Sequence, residues 1–172
     1  SVRFYDPMIG AGIADMIRPN TRLIWIEAPG SVTMAVPDVP AIAAAARAHD
    51  VVTAIDNTYS AGLAFRPLEH GVDISVQALT KYQSGGSDVL MGATITADDE
   101  LHAALKRARM RMGIGVSVDD CSLVLRSLPS MKARFDAHDR SALALAHWLK
   151  ARPEISAALH PALPDCPGHA QF

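Results

Sequence analysis

Through its first two-thirds the chain alternates short β-branched runs with stretches of helical character, and this alternation limits the fold more than any other feature. Candidate strands are Leu23 to Glu27, Val51 to Ile55, Ile74 to Ala78 and Ala93 to Thr96. Strands separated by helical crossovers pair in parallel, so the expected fold is α/β, a mostly parallel sheet with helices covering both faces. The segment from Val39 to His49 is Ala-rich and free of Gly, with Asp38 placed to cap it and Pro40 in its first turn. It reads as the crossover helix between the first two strands. Thr96 is placed to cap a later helix. Asp98, Asp99 and Glu100 lie at its positive end, and Lys106, Arg107, Arg109 and Arg111 gather towards the negative one. That charge order suits a solvated helix, not a binding patch. From Val118 to about Arg152, Leu123, Leu125, Leu128, Met131, Leu143, Leu145, Trp148 and Leu149 recur at mostly helical steps, and Pro129 predicts two helices joined near it. Beyond Arg152 the chain turns Pro-rich, with Pro161, Pro164, Cys166, Pro167 and Gly168 close together and nothing that would close a second domain. There is no internal repeat and no low-complexity segment, so the expectation is a central fragment truncated at both ends.

Composition excludes several classes. The 172 residues are 49% hydrophobic, enough for a core. The formal net charge is -2 with both signs interspersed, which gives no field to attract nucleic acid or anionic lipid. No apolar run approaches the roughly 20 residues that cross a bilayer, and no signal peptide is recognisable, so a cytoplasmic protein without membrane contact is expected. Cys121 and Cys166 are far apart and form no CxxC pair, which argues against a disulfide framework and a zinc site. The seven histidines, His49, His70, His102, His138, His147, His160 and His169, include no HExxH pair, and no metal site is expected. Gly10-Ala11-Gly12 lacks the third glycine and the preceding strand of a dinucleotide turn. Met110, Met112 and Met131 fall in or near presumed helices, where methionine is usually core filler.

Two residues carry the chemistry. Asp56 directly follows the strand Val51 to Ile55, and Lys81 closely follows the strand ending near Ala78. A mostly parallel sheet brings both to its carboxyl edge, where open α/β sheets bind ligands. A lysine amine there condenses with an aldehyde once its pKa is depressed by desolvation or a nearby cation. An aspartate there keeps a pyridine nitrogen protonated, which makes the ring an electron sink. Such a pair is also common as solvated or salt-bridged surface residues, so the pair alone does not decide the matter.

The surrounding sequence adds a resemblance. Thr80-Lys81-Tyr82-Gln83-Ser84-Gly85-Gly86-Ser87-Asp88, followed by Met91-Gly92, resembles the lysine signature of the Cys/Met-metabolism pyridoxal-phosphate family. Ile55-Asp56-Asn57-Thr58 resembles that family's aspartate strand, and Glu27-Ala28-Pro29-Gly30-Ser31 a third segment. Phe4-Tyr5-Asp6-Pro7, Ile9-Gly10, Val36 to Ile42 and His160-Pro161-Ala162-Leu163-Pro164 are most similar to its bacterial cystathionine β-lyase branch. The resemblance implies the large domain of the aspartate aminotransferase-like fold (fold type I). Residues 1–130 would be part of the cofactor-binding domain, and 131–172 a linking helix and the start of an incomplete C-terminal domain. It further implies pyridoxal 5'-phosphate as cofactor, an amino-acid substrate such as cystathionine, and a homo-oligomer, dimer or tetramer, in the full-length form.

Matched position by position, Lys81 is the Schiff-base lysine and Asp56 the partner of the pyridine nitrogen. Thr80 matches a hydroxyl used on the cofactor phosphate, with an ordinary loop threonine as the alternative. Asn57 and Thr58 would position the strand end and the ring, with a purely structural turn equally open. Two residues depart from the pattern: Gly86 stands where many members have histidine, and Tyr59 where the β-lyases have tryptophan. The family's phosphate-gripping turn and ring-stacking aromatic would precede Ser1, and its carboxylate-binding arginine would follow Phe172. A γ-lyase or γ-synthase of the same family, and a non-catalytic remnant, remain alternatives.

Overall fold

The computed structural model describes residues 1–172. Four strands, β1 (Leu23–Glu27), β2 (Val52–Asp56), β3 (Ile74–Ala78) and β4 (Gly92–Ile95), form one sheet in sequence order. The first three run parallel and β4 returns antiparallel to β3. Registers are continuous at the carboxyl end, where Glu27 pairs with Asp56 and Asp56 with Val76. Strand β2 is displaced by one residue from the expected Val51 to Ile55. Val51 instead donates its amide to Ala46 O at 3.0 Å, closing the turn out of the preceding helix. Asp56 is therefore the last residue of the strand and does not follow it. Strand β4 likewise begins one residue early, because Gly92 pairs with Ala78.

Helix α1 (Val39–Arg47) is the predicted crossover, capped by Asp38, whose carboxylate accepts from the Ala41 amide at 3.0 Å. It ends two residues before His49, since Asp50 adopts φ 54 to turn the chain into β2. Its Val39, Ile42, Ala43 and Ala46 pack with Ile24, Ile26 and Ile55 of the sheet in one core. Ile42 and Ile55 are wholly buried, each burial worth about 1.5–3 kcal/mol. The other face of β1 is open: Leu23 and Trp25 are 51% and 49% exposed. Within these residues one face of that strand is covered, not both.

Helix α2 (Asp99–Arg111) buries none of its residues, in keeping with its charge order. Its cap is Asp98, not Thr96. The Asp98 carboxylate accepts from the Leu101 amide at 2.7 Å, while the Thr96 hydroxyl accepts from Asp98 N at 3.2 Å, outside the helix. Helix α3 (Val118–Lys150) is one helix of 33 residues with Pro129 inside it, where two had been expected. A proline removes one amide donor and crowds the preceding turn, but strong capping and good helix formers carry this helix through. Ser117 accepts from Asp120 N at 3.0 Å, and Asp119 and Asp120 sit in the positive first turn. No helix is long and apolar enough to cross a membrane.

The Pro-rich C-terminal stretch folds back on the loop after β1. Val36 N donates to Pro167 O at 2.9 Å and the Cys166 thiol to Met34 O at 3.4 Å, with Leu163 1% exposed beneath.

Candidate active site

Asp56 and Lys81 meet at one edge of the sheet because β2 and β3 run parallel and end side by side. Asp56 terminates β2, and Lys81 opens the long hairpin that joins β3 to antiparallel β4. Between them lies Thr58, whose hydroxyl oxygen accepts from Ala78 N at 2.9 Å. Asn57 N donates to Val76 O at 2.8 Å, and Lys81 N to Ala78 O at 3.0 Å. Backbone and one side chain thus tie the aspartate strand to the residue that launches the lysine turn.

Of the Asp56 carboxylate, Oδ1 accepts from Thr58 N at 3.0 Å, while Oδ2 takes no hydrogen bond from the chain. Lys81 is exposed, and its amine enters none of the three ion pairs, Arg66–Glu69, Lys132–Asp136 and Lys150–Asp165. A free carboxylate oxygen and a free amine on one edge suit the two ends of a pyridine aldehyde. The residues present therefore fit pyridoxal phosphate at those two positions.

The other predicted residues are placed less simply. Asn57 is fully buried and its amide is consumed locally: Nδ2 donates to Phe65 O at 3.1 Å, and Oδ1 accepts from Ser60 Oγ at 2.6 Å. It holds the loop that follows β2. The Thr80 hydroxyl donates to Met91 O at 3.2 Å and accepts from Met91 N at 3.1 Å, clasping the two ends of the lysine turn. Gly86 leaves room that the Asp88 carboxylate fills, since a Cβ there would stand 2.7 Å from Asp88 Oδ1. Tyr59 is 43% exposed at the same edge.

The sequence reading passed over the support of the turn. Tyr82 packs against Phe135 and His138 of α3, with ring centroids 5.1 and 5.7 Å away. Burial pushes the Tyr82 hydroxyl pKa up, and the Asp139 carboxylate and Tyr59 push the same way. Gln83 and Gln77 are buried and hydrogen-bonded to each other, leaving Gln83 Oε1 without a partner. Nothing in the local sequence announced these contacts, because the partners on α3 lie far along the chain. Among the His, Cys, Asp and Glu residues no group of three or more is arranged to hold a metal ion.

Comparison with known proteins agrees with this geometry. The family profile described as Cys/Met metabolism PLP-dependent enzyme matches residues 1–172. The chain is 43% identical over 173 residues to the cystathionine β-lyase of Haemophilus influenzae, covering 99% of this chain and 43% of that protein. It is 40% identical over 168 residues to that of Escherichia coli, covering 96% and 42%. The crystal structure of a cystathionine γ-lyase from Lactobacillus plantarum, complexed with L-serine, superposes with a TM-score of 0.92 at 29% identity, over 96% of this chain and 44% of that one. The chain thus spans less than half the length of these relatives. With the profile match over all 172 residues and the sheet, aspartate and lysine arranged as described, the chain belongs to the Cys/Met metabolism family of PLP-dependent enzymes.

Proposed function

We propose that the protein is a pyridoxal-phosphate-dependent carbon–sulfur lyase that cleaves cystathionine by β-elimination, yielding homocysteine, pyruvate and ammonia. The observation that carries this reading is the convergence of Asp56 and Lys81 on one sheet edge, joined through the Thr58–Ala78 hydrogen bond. When bound, the cofactor supplies an electron sink that stabilises negative charge at the substrate Cα. Lys81 would hold the cofactor through its aldehyde carbon, and its amine, once free, would serve as the base that takes the proton from the substrate Cα. Asp56 keeps the proton on the pyridine nitrogen through its free Oδ2. The thiolate then leaves from Cβ, and hydrolysis of the remaining three-carbon unit gives pyruvate and ammonia. Thr80 and Thr58 keep the turn and the strand end in place, Thr80 reaching the phosphate only if its hydroxyl turns from Met91 O, and Asn57 holds the adjoining loop.

The names among the relatives favour β-cleavage, while the γ-lyase likeness supports a second reading with the same cofactor and a different bond broken. Replacing Lys81 with alanine in the full-length protein tests the first. Pyruvate release from cystathionine should be abolished, and unchanged release would remove the mechanism. 2-Oxobutyrate from the unmodified protein, in place of pyruvate, would point to γ-cleavage. Tight retention of pyridoxal phosphate by the 172-residue chain would count against a non-catalytic remnant.

On this reading residues 1–130 belong to the cofactor-binding domain and 131–172 begin the next, with the boundary inside α3. A homo-oligomer, dimer or tetramer, fits the exposed Phe4, Leu90 and Val118, at 93%, 92% and 84%. A cytoplasmic setting fits the two free thiols Cys121 and Cys166.

A further inference from the structure

Three neighbouring residues of α3 bear on the lysine turn, and two independent contacts carry the load. Phe135 and His138 flank the Tyr82 ring in tilted arrangements, at interplanar angles of 53° and 49°. Arg134 lies one turn before His138 on the same face. Its guanidinium is held on its own helix, Nε donating to Ser130 Oγ at 3.1 Å and Nη2 to Ser127 O at 3.2 Å. So held, it covers Gly85, where any β-carbon would collide with the guanidinium. Gly85 also has φ +68, a conformation that favours glycine, and its amide donates to Lys81 O at 2.9 Å. Tyr82 and Gly85 belong to the same tight turn as Lys81, so a contact that fixes both fixes the backbone from which the lysine side chain springs.

We propose that Arg134, Phe135 and His138 are positioning residues for Lys81, α3 seating the turn so that the amine is presented to the cofactor aldehyde. The proposal rests on the cofactor reading above for its consequence but not for the contact itself. Arg134 acts through the Gly85 backbone and the two rings act through Tyr82. None of the three touches the reacting atoms.

The test uses the full 172-residue chain, first without cofactor. Amide hydrogen exchange is compared for the unmodified protein, Arg134→Ala, Phe135→Ala and Gly85→Ala. The amides of Ser84 and Gly85, which donate to Leu79 O and Lys81 O, are expected to exchange about tenfold faster in each variant, with β2 and β3 unchanged. Arg134→Ala breaks the contact from the helix side without straining the turn, as Gly85→Ala does through its φ, which keeps the question answerable if Phe135→Ala unfolds the chain. Pyridoxal phosphate is then added. Borohydride trapping at Lys81 should be slower in the variants, and the visible circular dichroism of the bound ring before reduction weaker, a signature that mere loss of stability elsewhere does not produce. Exchange and dichroism equal to the unmodified protein in both Arg134→Ala and Gly85→Ala overturn the proposal. If the unmodified chain takes no label at Lys81, the cofactor reading fails, and faster exchange at Ser84 and Gly85 in Arg134→Ala still supports the seating of the turn by α3.

Discussion

At Thr58 a single hydroxyl oxygen, 2.9 Å from the Ala78 amide, connects the strand that ends in Asp56 to the residue three places before Lys81. Valine has nearly the same shape and no acceptor, so Thr58→Val leaves the half-buried Ala78 amide unpaired. A loss of about 1 kcal/mol is expected, read as a lower urea midpoint with an unchanged m-value. The same substitution should slow borohydride labelling of Lys81, because the two ends of the site are no longer tied. Asn57 and Thr80 show why residue types alone were ambiguous. Both side chains hydrogen-bond to neighbouring backbone and hydroxyl groups, Phe65 and Ser60 for one and Met91 for the other. Asparagine and threonine at loop starts readily satisfy such local bonds, and only the positions of the partners separate a structural role from a ligand-binding one.

The strands and α1 were legible as elements because their signals are local. β-Branched runs, an Ala-rich stretch and an aspartate before Pro40 all act within a few residues, and β1 and β3 have the expected bounds. The misreadings are also local in origin. Asp98 outcompetes Thr96 as the cap of α2 because its carboxylate reaches the Leu101 amide at 2.7 Å. Pro129 did not divide α3, since one missing donor in 33 residues is offset by the rest of the helix. Pro129→Ala should therefore stabilise α3, restoring a donor for the Leu125 carbonyl and relieving the ring. The gain is at most about 3 kcal/mol, seen as a higher Tm without loss of helical circular dichroism.

Across the whole molecule the C-terminal stretch is joined to the loop after β1 through Cys166 and Pro167, and to α3 through Lys150 and Asp165. Cys166 is 5% exposed, and burial, with the Asp165 carboxylate adding to it, raises its thiol pKa. Iodoacetamide at pH 8 should alkylate Cys166 more slowly than the half-buried Cys121. Mass spectrometry of the alkylated peptides measures this, and equal rates would mean the stretch is not seated. The hydrogen bond from Lys150 lowers the Asp165 pKa. A carboxylate with a depressed folded-state pKa contributes stability that is present above its unfolded pKa and lost as pH falls through the folded one. Asp165→Asn should thus be less stable than the unmodified chain at neutral pH, and the difference should fade on acidification below the carboxylate range. Residue order was sufficient for the α/β class, the mostly parallel sheet and the family, because periodicity and the Asp56 and Lys81 segments are each contained in short windows. Chain folding alone brought Arg134, Phe135 and His138 against Tyr82 and Gly85, and Pro167 against Val36. Those pairings join residues far apart along the chain, and no local propensity encodes which distant surfaces will meet.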